Sequence, residues 1–471
     1  MAEKSKGKLL AEQLLDEGKH FCEQMDQQEL ERADLFCEEY KEFLASCKTE
    51  RECVDYVVPL LKSSGYVPFV PGTKYQPGDK VYYNNRGKAL AFATIGTRSF
   101  ADGVKIMAAH IDSPRLDLKP RPLYEEAELA LLKTHYYGGI KKYQWPAMPL
   151  SLHGVVVRRD GTSFAVNIGE DPADPVFCVT DLLPHLADEQ AKRQVKDAIK
   201  GEELNVLVGS RPFLDDQVSQ KVKLNVANIL FEKYGMVEKD FLSAELCVVP
   251  AFPVRDVGLD RSMIGAYGHD DRVCAYTALK AALEVKSPAY TLVTVLADKE
   301  ETGSDGNTGM NSAFFRYFIA DLAAAHGVPE RVVLSRSQCL SADVNLAFDP
   351  TFPDVTESRN TAYLNHGVVV TKYTGARGKS STNDASAEFM GKIRSILDRG
   401  NVQWQTGELG KVDMGGGGTV AMYISALNVD VVDIGVPVLS MHAPFEVVSK
   451  SDVYMTYRAF VEFGRDADDR I

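Results

Sequence analysis

Glu300 and Glu301 stand side by side just past an unbroken apolar, β-branched run in TLVTVLADKEETGS, residues 291–304. Such a run predicts a buried strand of a largely parallel sheet. In open α/β sheets, ligands bind in the crevice beyond the C-terminal strand ends. Two carboxylates delivered there repel each other unless a cation or a shared proton lies between them. Other parts of the chain carry groups able to hold that cation. His110 and Asp112 end the run VKIMAAHID. One nitrogen of such a His can bind a metal while the carboxylate orients a ligand or takes the other ring proton. Asp270 and Asp271 open a helix at GHDDR, one carboxylate more than a helix cap requires. Asp343 ends LSADV, and His442 lies in LSMHAPFE. Each residue alone has an ordinary explanation as a capped strand end or helix start. Together they include two imidazoles, three metal-binding carboxylates and one spare carboxylate. Two divalent ions about 3.5–4 Å apart require such a set, with one carboxylate bridging and the spare one free to act as base on a bridging water. Nitrogen and oxygen donors without thiolate suit zinc, with Co2+ or Mn2+ as alternatives.

The elements that must position these residues follow an α/β rhythm. Residues 8–63 read as helices, the last ending at Ser63-Ser64-Gly65. Strands follow at 80–83, 88–95 and 104–111, the first two joined by the hairpin turn Asn84-Asn85-Arg86-Gly87. From 115 to 250 the texture changes to short strands at 150–158, 163–167, 204–209 and 246–250, with one short charged helix at 192–200. Without a βαβ rhythm, this stretch predicts a β-rich insertion. The rhythm resumes with a helix from 269. A helix at 311–326 follows, then strands at 332–334, before Asp343 and at 367–373, then helices at 385–397 and 420–427. Strands at 429–435 and 438–441 and a helix at 450–463 complete the pattern. The glycine run 415–418 beside a helix start lacks the spacing of a phosphate loop and reads as close backbone approach to a strand or a substrate. The expected fold class is α/β. A mixed-sheet α/β/α domain is formed by 1–113 and 252–471, interrupted by a β-rich domain at 114–251.

Composition bounds the partners. The 471 residues are enough for about two domains, and 45% apolar with 25% charged residues is ordinary for a soluble enzyme. A net charge of −13 argues against nucleic acid and against an anionic membrane surface. No apolar run reaches the length of a membrane span, and the N-terminal stretch lacks a signal-peptide core, so a cytoplasmic protein is expected. Eight cysteines without a CxxC pair read as reduced core residues. Of the other histidines, His20 and His326 read as surface residues and His135, His153 and His366 as structural hydrogen-bonding groups. His269 reads as a neighbour of the centre at most.

The motifs AHIDSPRLDLKP, GHDDR, ADKEETGS, LSADV and LSMHAPFE, in that order with an insert after the first, resemble the co-catalytic zinc aminopeptidase family that includes aspartyl aminopeptidase and vacuolar aminopeptidase I. The segments YYGGIKKYQW, LLPHLA, LNHGVVV and GGGGTVAMYIS extend the resemblance over nearly the whole chain. The resemblance implies a metallopeptidase holding two Zn2+ per subunit, which releases N-terminal residues from unblocked peptides by a metal-bridging hydroxide. His110 and Asp343 would hold one ion, Glu301 and His442 the other, and Asp270 would bridge both. Asp112 would orient His110. Glu300 would be the general base, taking the water proton and returning it to the leaving amine. It also implies a homo-oligomer, with dimers formed through the insert and assembled into a dodecamer, and His185 reaching a neighbouring subunit's site. One departure concerns the substrate. Where aspartyl aminopeptidase relatives carry an Asn-Gln-Arg-Tyr-like run, this chain has Ala376-Arg377-Gly378-Lys379. Lys372, Lys379 and Gly416 are the candidate substrate-binding residues, and acidic, neutral and broad preferences all stay open. A related deacylase and an inactive structural homologue compete with this reading. The insert and LLPHLA speak against the first, and the intact ligand set against the second.

Overall fold

The computed structural model describes residues 4–15 and 18–468. Residues 16 and 17 of the expected helical stretch, and 1–3 and 469–471 of the expected α/β domain, lie outside the described residues. At the centre is a nine-stranded mixed sheet. Thr291–Ala297 runs parallel to Val104–His110, which runs parallel to Gln338–Ala342, and that in turn to Asp430–Gly435. On its other side Thr291–Ala297 pairs antiparallel with Ala89–Thr94. Alternation along the strand serves both faces, because successive side chains point to opposite sides. Leu292 and Leu296 enter one core with the helices Gln27–Ser46, Glu50–Ser63, His269–Glu284 and Lys450–Arg465. Val293, Val295 and Ala297 enter the other with Phe314–Ala324 and Ala421–Ser425. The layers are therefore helix, sheet, helix.

A five-stranded sheet contains Met263–Ala266, Glu446–Ser449 and Pro437–Leu439 among its strands. A seven-stranded sheet is built wholly from strands between Arg115 and Pro250. Its first strand, Arg115–Glu126, pairs with its last, Ala244–Pro250, so the two ends of this stretch lie together. The helix Lys221–Tyr234 packs on it, burying Val222.

Several expectations are corrected. Residues 332–334 belong to the helix Glu330–Leu334, because a three-residue apolar run has no period that separates strand from helix. The charged stretch 192–200 forms only a 3-10 turn at Val195–Asp197, with Val195 exposed and Ile199 alone buried in the core. The expected strand 438–441 stops at Leu439, three residues short of His442. The helix Lys221–Tyr234 and the hairpin of Arg115–Glu126 with Leu129–Tyr137 were not expected at all.

The stretch that forms the seven-stranded sheet meets the rest of the chain through buried charge. Lys48 Nζ lies 2.9 Å from Glu170 and donates to Pro250 O at 2.7 Å. His153 sits between Glu52 at 2.7 Å and Glu170 at 3.0 Å. Arg115 reaches Glu50 at 2.6 Å. Cys22 is exposed and Cys178 half-buried, and the other cysteines are buried and unpaired. Among the described residues no helix is long and apolar enough to cross a membrane.

Candidate metal centre

Three adjacent parallel strands end at one rim, and each delivers a candidate ligand just beyond its last residues. His110 closes Val104–His110, with Asp112 two residues on. Asp343 follows Gln338–Ala342. Glu300 and Glu301 occupy a 3-10 turn after Thr291–Ala297, entered through Lys299 at φ 70°. Asp270 and His442 arrive from the five-stranded sheet. After Met263–Ala266 the chain turns at Gly268, with φ 76°, where a Cβ would overlap the Arg272 guanidinium. Only glycine fits this turn into the helix that carries Asp270. His442, at φ 64°, lies in the turn between Pro437–Leu439 and Glu446–Ser449. Glu446 ties the two together, accepting from Asp270 N at 3.1 Å and from His442 N at 2.7 Å.

Asp270 offers one oxygen to each imidazole. Its Oδ1 lies 3.3 Å from His110 Nε2 and its Oδ2 3.1 Å from His442 Nε2. Asp343 Oδ1 is 3.6 Å from His110 Nε2, and Glu301 Oε2 is 3.6 Å from His442 Nε2. His110, Asp270 and Asp343 form one group, and Asp270, Glu301 and His442 a second; within each, the ligand atoms lie within 4.8 Å of one another. Glu300 Oε2 stands 3.8 Å from His110 Nε2 and belongs to neither group.

The ring nitrogens facing away from the cluster are engaged. His110 Nδ1 lies 3.1 Å from Asp112 O, and His442 Nδ1 lies 2.8 Å from Gly139 O. A carbonyl can only accept, so each Nδ1 carries a proton and the neutral ring turns the lone pair of Nε2 toward the carboxylates. His110 Nε2 and Glu301 Oε1 are buried without a hydrogen-bond partner. An orphaned polar atom in each of the two groups fits a cation in each, and two His with three carboxylates fit zinc.

The electrostatics agree. Burial pushes the Glu300 carboxyl up to about 8, with Asp343, Asp112 and Asp270 adding to the rise and His110 opposing it. Burial, then the charge of Asp270, lifts Glu301 well above the ordinary carboxylate range. Burial also raises Asp343. Burial works against charge on Asp270 too, but His110 and His442 outweigh it and hold this carboxyl low. His442 is raised to about 11 despite burial, through Asp270 and Glu301, and His110 is raised as well. Protons on both rings are the compensation that the chain itself can supply; a divalent cation supplies the same compensation without them.

Asp271 is buried, accepts from His110 N at 3.4 Å and belongs to neither group. His269 lies between Tyr40 Oη at 2.8 Å and Ile264 O at 3.1 Å, and burial lowers its pKa to about 3. His185 is exposed on the turn Pro184–Leu186 and is in neither group. Lys372 and Lys379 both pair with Asp384, and the Lys379 ammonium lies 3.7 Å from the centroid of the Tyr373 ring. Gly416, at φ 111°, presses against Ala376, where a Cβ would come within 2.5 Å of Cα; the glycine run is here a close approach of two backbones. Sequence reasoning assigned no role to Glu446, although it stands four residues after His442. It also missed Tyr137 and Gly139, whose contacts no local spacing reveals.

The family described as aminopeptidase I zinc metalloprotease (M18) matches residues 43–463. A probable M18 family aminopeptidase 1 of Clostridium acetobutylicum is 50% identical over 458 residues, covering 96% of this chain and 98% of that protein. The crystal structure of an M18 aminopeptidase from Thermotoga maritima superposes with a TM-score of 0.91 at 44% identity, covering 96% of this chain and 99% of that one. The S. cerevisiae mApe1 dodecamer shares the fold, with a TM-score of 0.74 at 20% identity over 92% of this chain and 97% of that one.

Proposed function

The chain belongs to the aminopeptidase I zinc metalloprotease (M18) family and is a zinc metallo-aminopeptidase; from that premise we propose that it acts co-catalytically, with two Zn2+ per subunit sharing Asp270. The observation that carries this reading is the placement of the two Asp270 oxygens, one toward each imidazole. His110 and Asp343 complete one site, and Glu301 and His442 the other. Co2+ or Mn2+ would suit the same donors. Two divalent ions held there would acidify a water between them and draw off the negative charge that gathers on the carbonyl oxygen. The chain's own part is positioning and proton transfer. Glu300, beside both groups but in neither, takes a proton from the attacking water at its carboxylate and returns it to the leaving amine. Asp112 holds His110 through Nδ1, which keeps Nε2 aimed at the site. The acidic rim suits a free α-ammonium, which selects unblocked peptides. Lys372, Lys379 and Gly416 border the substrate, and the insert, 114–251, joins subunits so that His185 completes a neighbour's site. A dodecamer like that of S. cerevisiae mApe1, working in the cytoplasm, is the assembly this reading takes.

The test is Glu300→Gln, measured with zinc analysis and a panel of aminoacyl substrates with N-acetylated controls. The variant should keep its zinc and lose roughly 10²–10⁴-fold in turnover. Near-wild-type turnover would remove the base assignment. Cleavage of acetylated substrates by the wild type would point to a deacylase, and metal without hydrolysis to a scaffold.

A further inference from the structure

Tyr137, Gly138 and Gly139 leave the end of the strand Leu129–Tyr137, which belongs to the seven-stranded sheet, and enter the centre built by the other two sheets. Each of the three meets a different residue of that centre. The Tyr137 hydroxyl donates to Asp112 Oδ2 at 2.7 Å. Gly138, at φ 75°, packs so closely on Glu301 that a Cβ would lie 3.1 Å from Oε2. The carbonyl of Gly139 accepts from His442 Nδ1 at 2.8 Å.

Asp112 is more than a partner for one imidazole. Its Oδ1 lies 3.2 Å from His110 Nδ1 and accepts from Glu300 N at 3.1 Å. Its Oδ2 accepts from Glu301 N at 3.2 Å and from Tyr137. One carboxylate thus sets a histidine and the backbone of both glutamates, and Tyr137 sets the carboxylate. The ring of Tyr137 is itself held, with the Arg115 guanidinium 4.3 Å and the Lys299 ammonium 5.6 Å from its centroid.

We propose that Tyr137–Gly138–Gly139 is a positioning element supplied by the insert to the metal centre of its own chain, acting on His110 and the glutamates through Asp112 and on His442 through a carbonyl. The metal site is then finished only when the insert is seated. This inference rests on the reading of His110, Asp270, Glu301, Asp343 and His442 as zinc ligands. None of the three residues touches the reacting atoms. Their effect is on how well the ligands are pre-aimed, which sets zinc affinity as well as rate.

The experiment is a chelator-competition titration of the full-length protein with Zn2+ alone, alongside steady-state kinetics. Tyr137→Phe keeps the ring and its cation contacts and removes only the hydroxyl. Zinc affinity should fall about 10- to 100-fold, the usual cost of losing a group that orients ligands, and kcat should fall while KM holds. Gly139→Ala adds a methyl about 3.2 Å from His442 Nδ1, at a residue without a positive φ. It should weaken one zinc more than the other. Wild-type affinity and stoichiometry in both variants would overturn the proposal. Wild-type zinc binding with a lowered thermal midpoint would reduce Tyr137 to a packing residue and overturn it equally. The stoichiometry of the wild type decides the two-ion reading separately, because the ratio of variant to wild-type affinity can be read whichever number of ions the wild type holds.

Discussion

Two of the buried clusters of ionisable groups are built on opposite plans. Where the seven-stranded sheet meets the start of the helix Glu50–Ser63, Lys48 and His153 face Glu52 and Glu170, and the charges cancel in place. The rise that Glu170 and Glu52 impose on His153 exceeds the opposing effect of burial, and Glu170 is drawn down to about 2 against its own burial by His153 and Lys48. At the strand ends, Asp112, Asp270, Glu300, Glu301 and Asp343 gather around His110 and His442 alone. There burial and mutual repulsion push Glu300 and Glu301 upward, and polar atoms lack partners. The difference separates a structural ion cluster from a site built to receive a cation. The first is complete within the chain, whereas the second has donors for a charge the chain does not encode.

If the contrast is right, the two clusters answer differently to substitution. The largest effect should come from Asp270→Asn, which removes the ligand shared by both groups. Activity should fall by about 10³-fold or more, and metal analysis should find both ions weakened. Zinc loss from one group alone would break the shared-ligand reading. Metal removal comes next. Adding Zn2+ back to chelator-stripped protein at about 100 times Kd should stabilise each site by about 2.7 kcal/mol, read as a rise in thermal midpoint. Lys48→Met should show the same zinc-dependent rise, from a lower baseline. It removes one of the two cations beside Glu170, which keeps His153, so it should cost about 1.5–3 kcal/mol, with zinc affinity unchanged. The smallest effect is a pH slope. The folded pKa of His153 lies above its ordinary 6.5, so the stability from its charged form is complete below that value and is lost as pH rises through the raised one. As pH rises above about 6.5 the thermal midpoint of the wild type should therefore fall toward that of His153→Gln, and parallel curves would refute the assignment.

The same contrast explains what could be read from the chain alone. A charged or titratable residue placed just beyond an apolar run is a local signal, so His110, Asp112, Glu300, Glu301 and Asp343 stand out in the sequence itself. Asp270 is visible there because two acids at a helix start exceed what capping needs. The junction was not legible, because Lys48 and Glu52 lie on one segment and His153 and Glu170 on others, and nothing in the spacing shows that they meet. Glu446 and Tyr137 were missed for the same reason, since their partners are tertiary. In the fold, the alternation of strand and helix was readable, but the hairpin after Arg115 was not. Its first strand carries Pro120 and Pro122 near a register shift, and its turn uses Ala127 and Glu128 at positive φ where Asn-Gly is the usual signal.

The point of insertion has a kinetic consequence. The seven-stranded sheet begins five residues after His110, and its first strand pairs with its last before the chain returns to Asp270. In an unfolded chain His110 and Asp270 are separated by 160 residues, the difference of their numbers. Once the insert has folded on itself, that loop shrinks to the few tens of residues outside it. By the logarithmic cost of loop closure this lowers the entropy barrier to joining the ligands by about 1–2 kcal/mol. The order of events during synthesis favours this route, because the insert is complete before Asp270 leaves the ribosome. The interruption in the catalytic sheet is thus also a shortcut to assembling it.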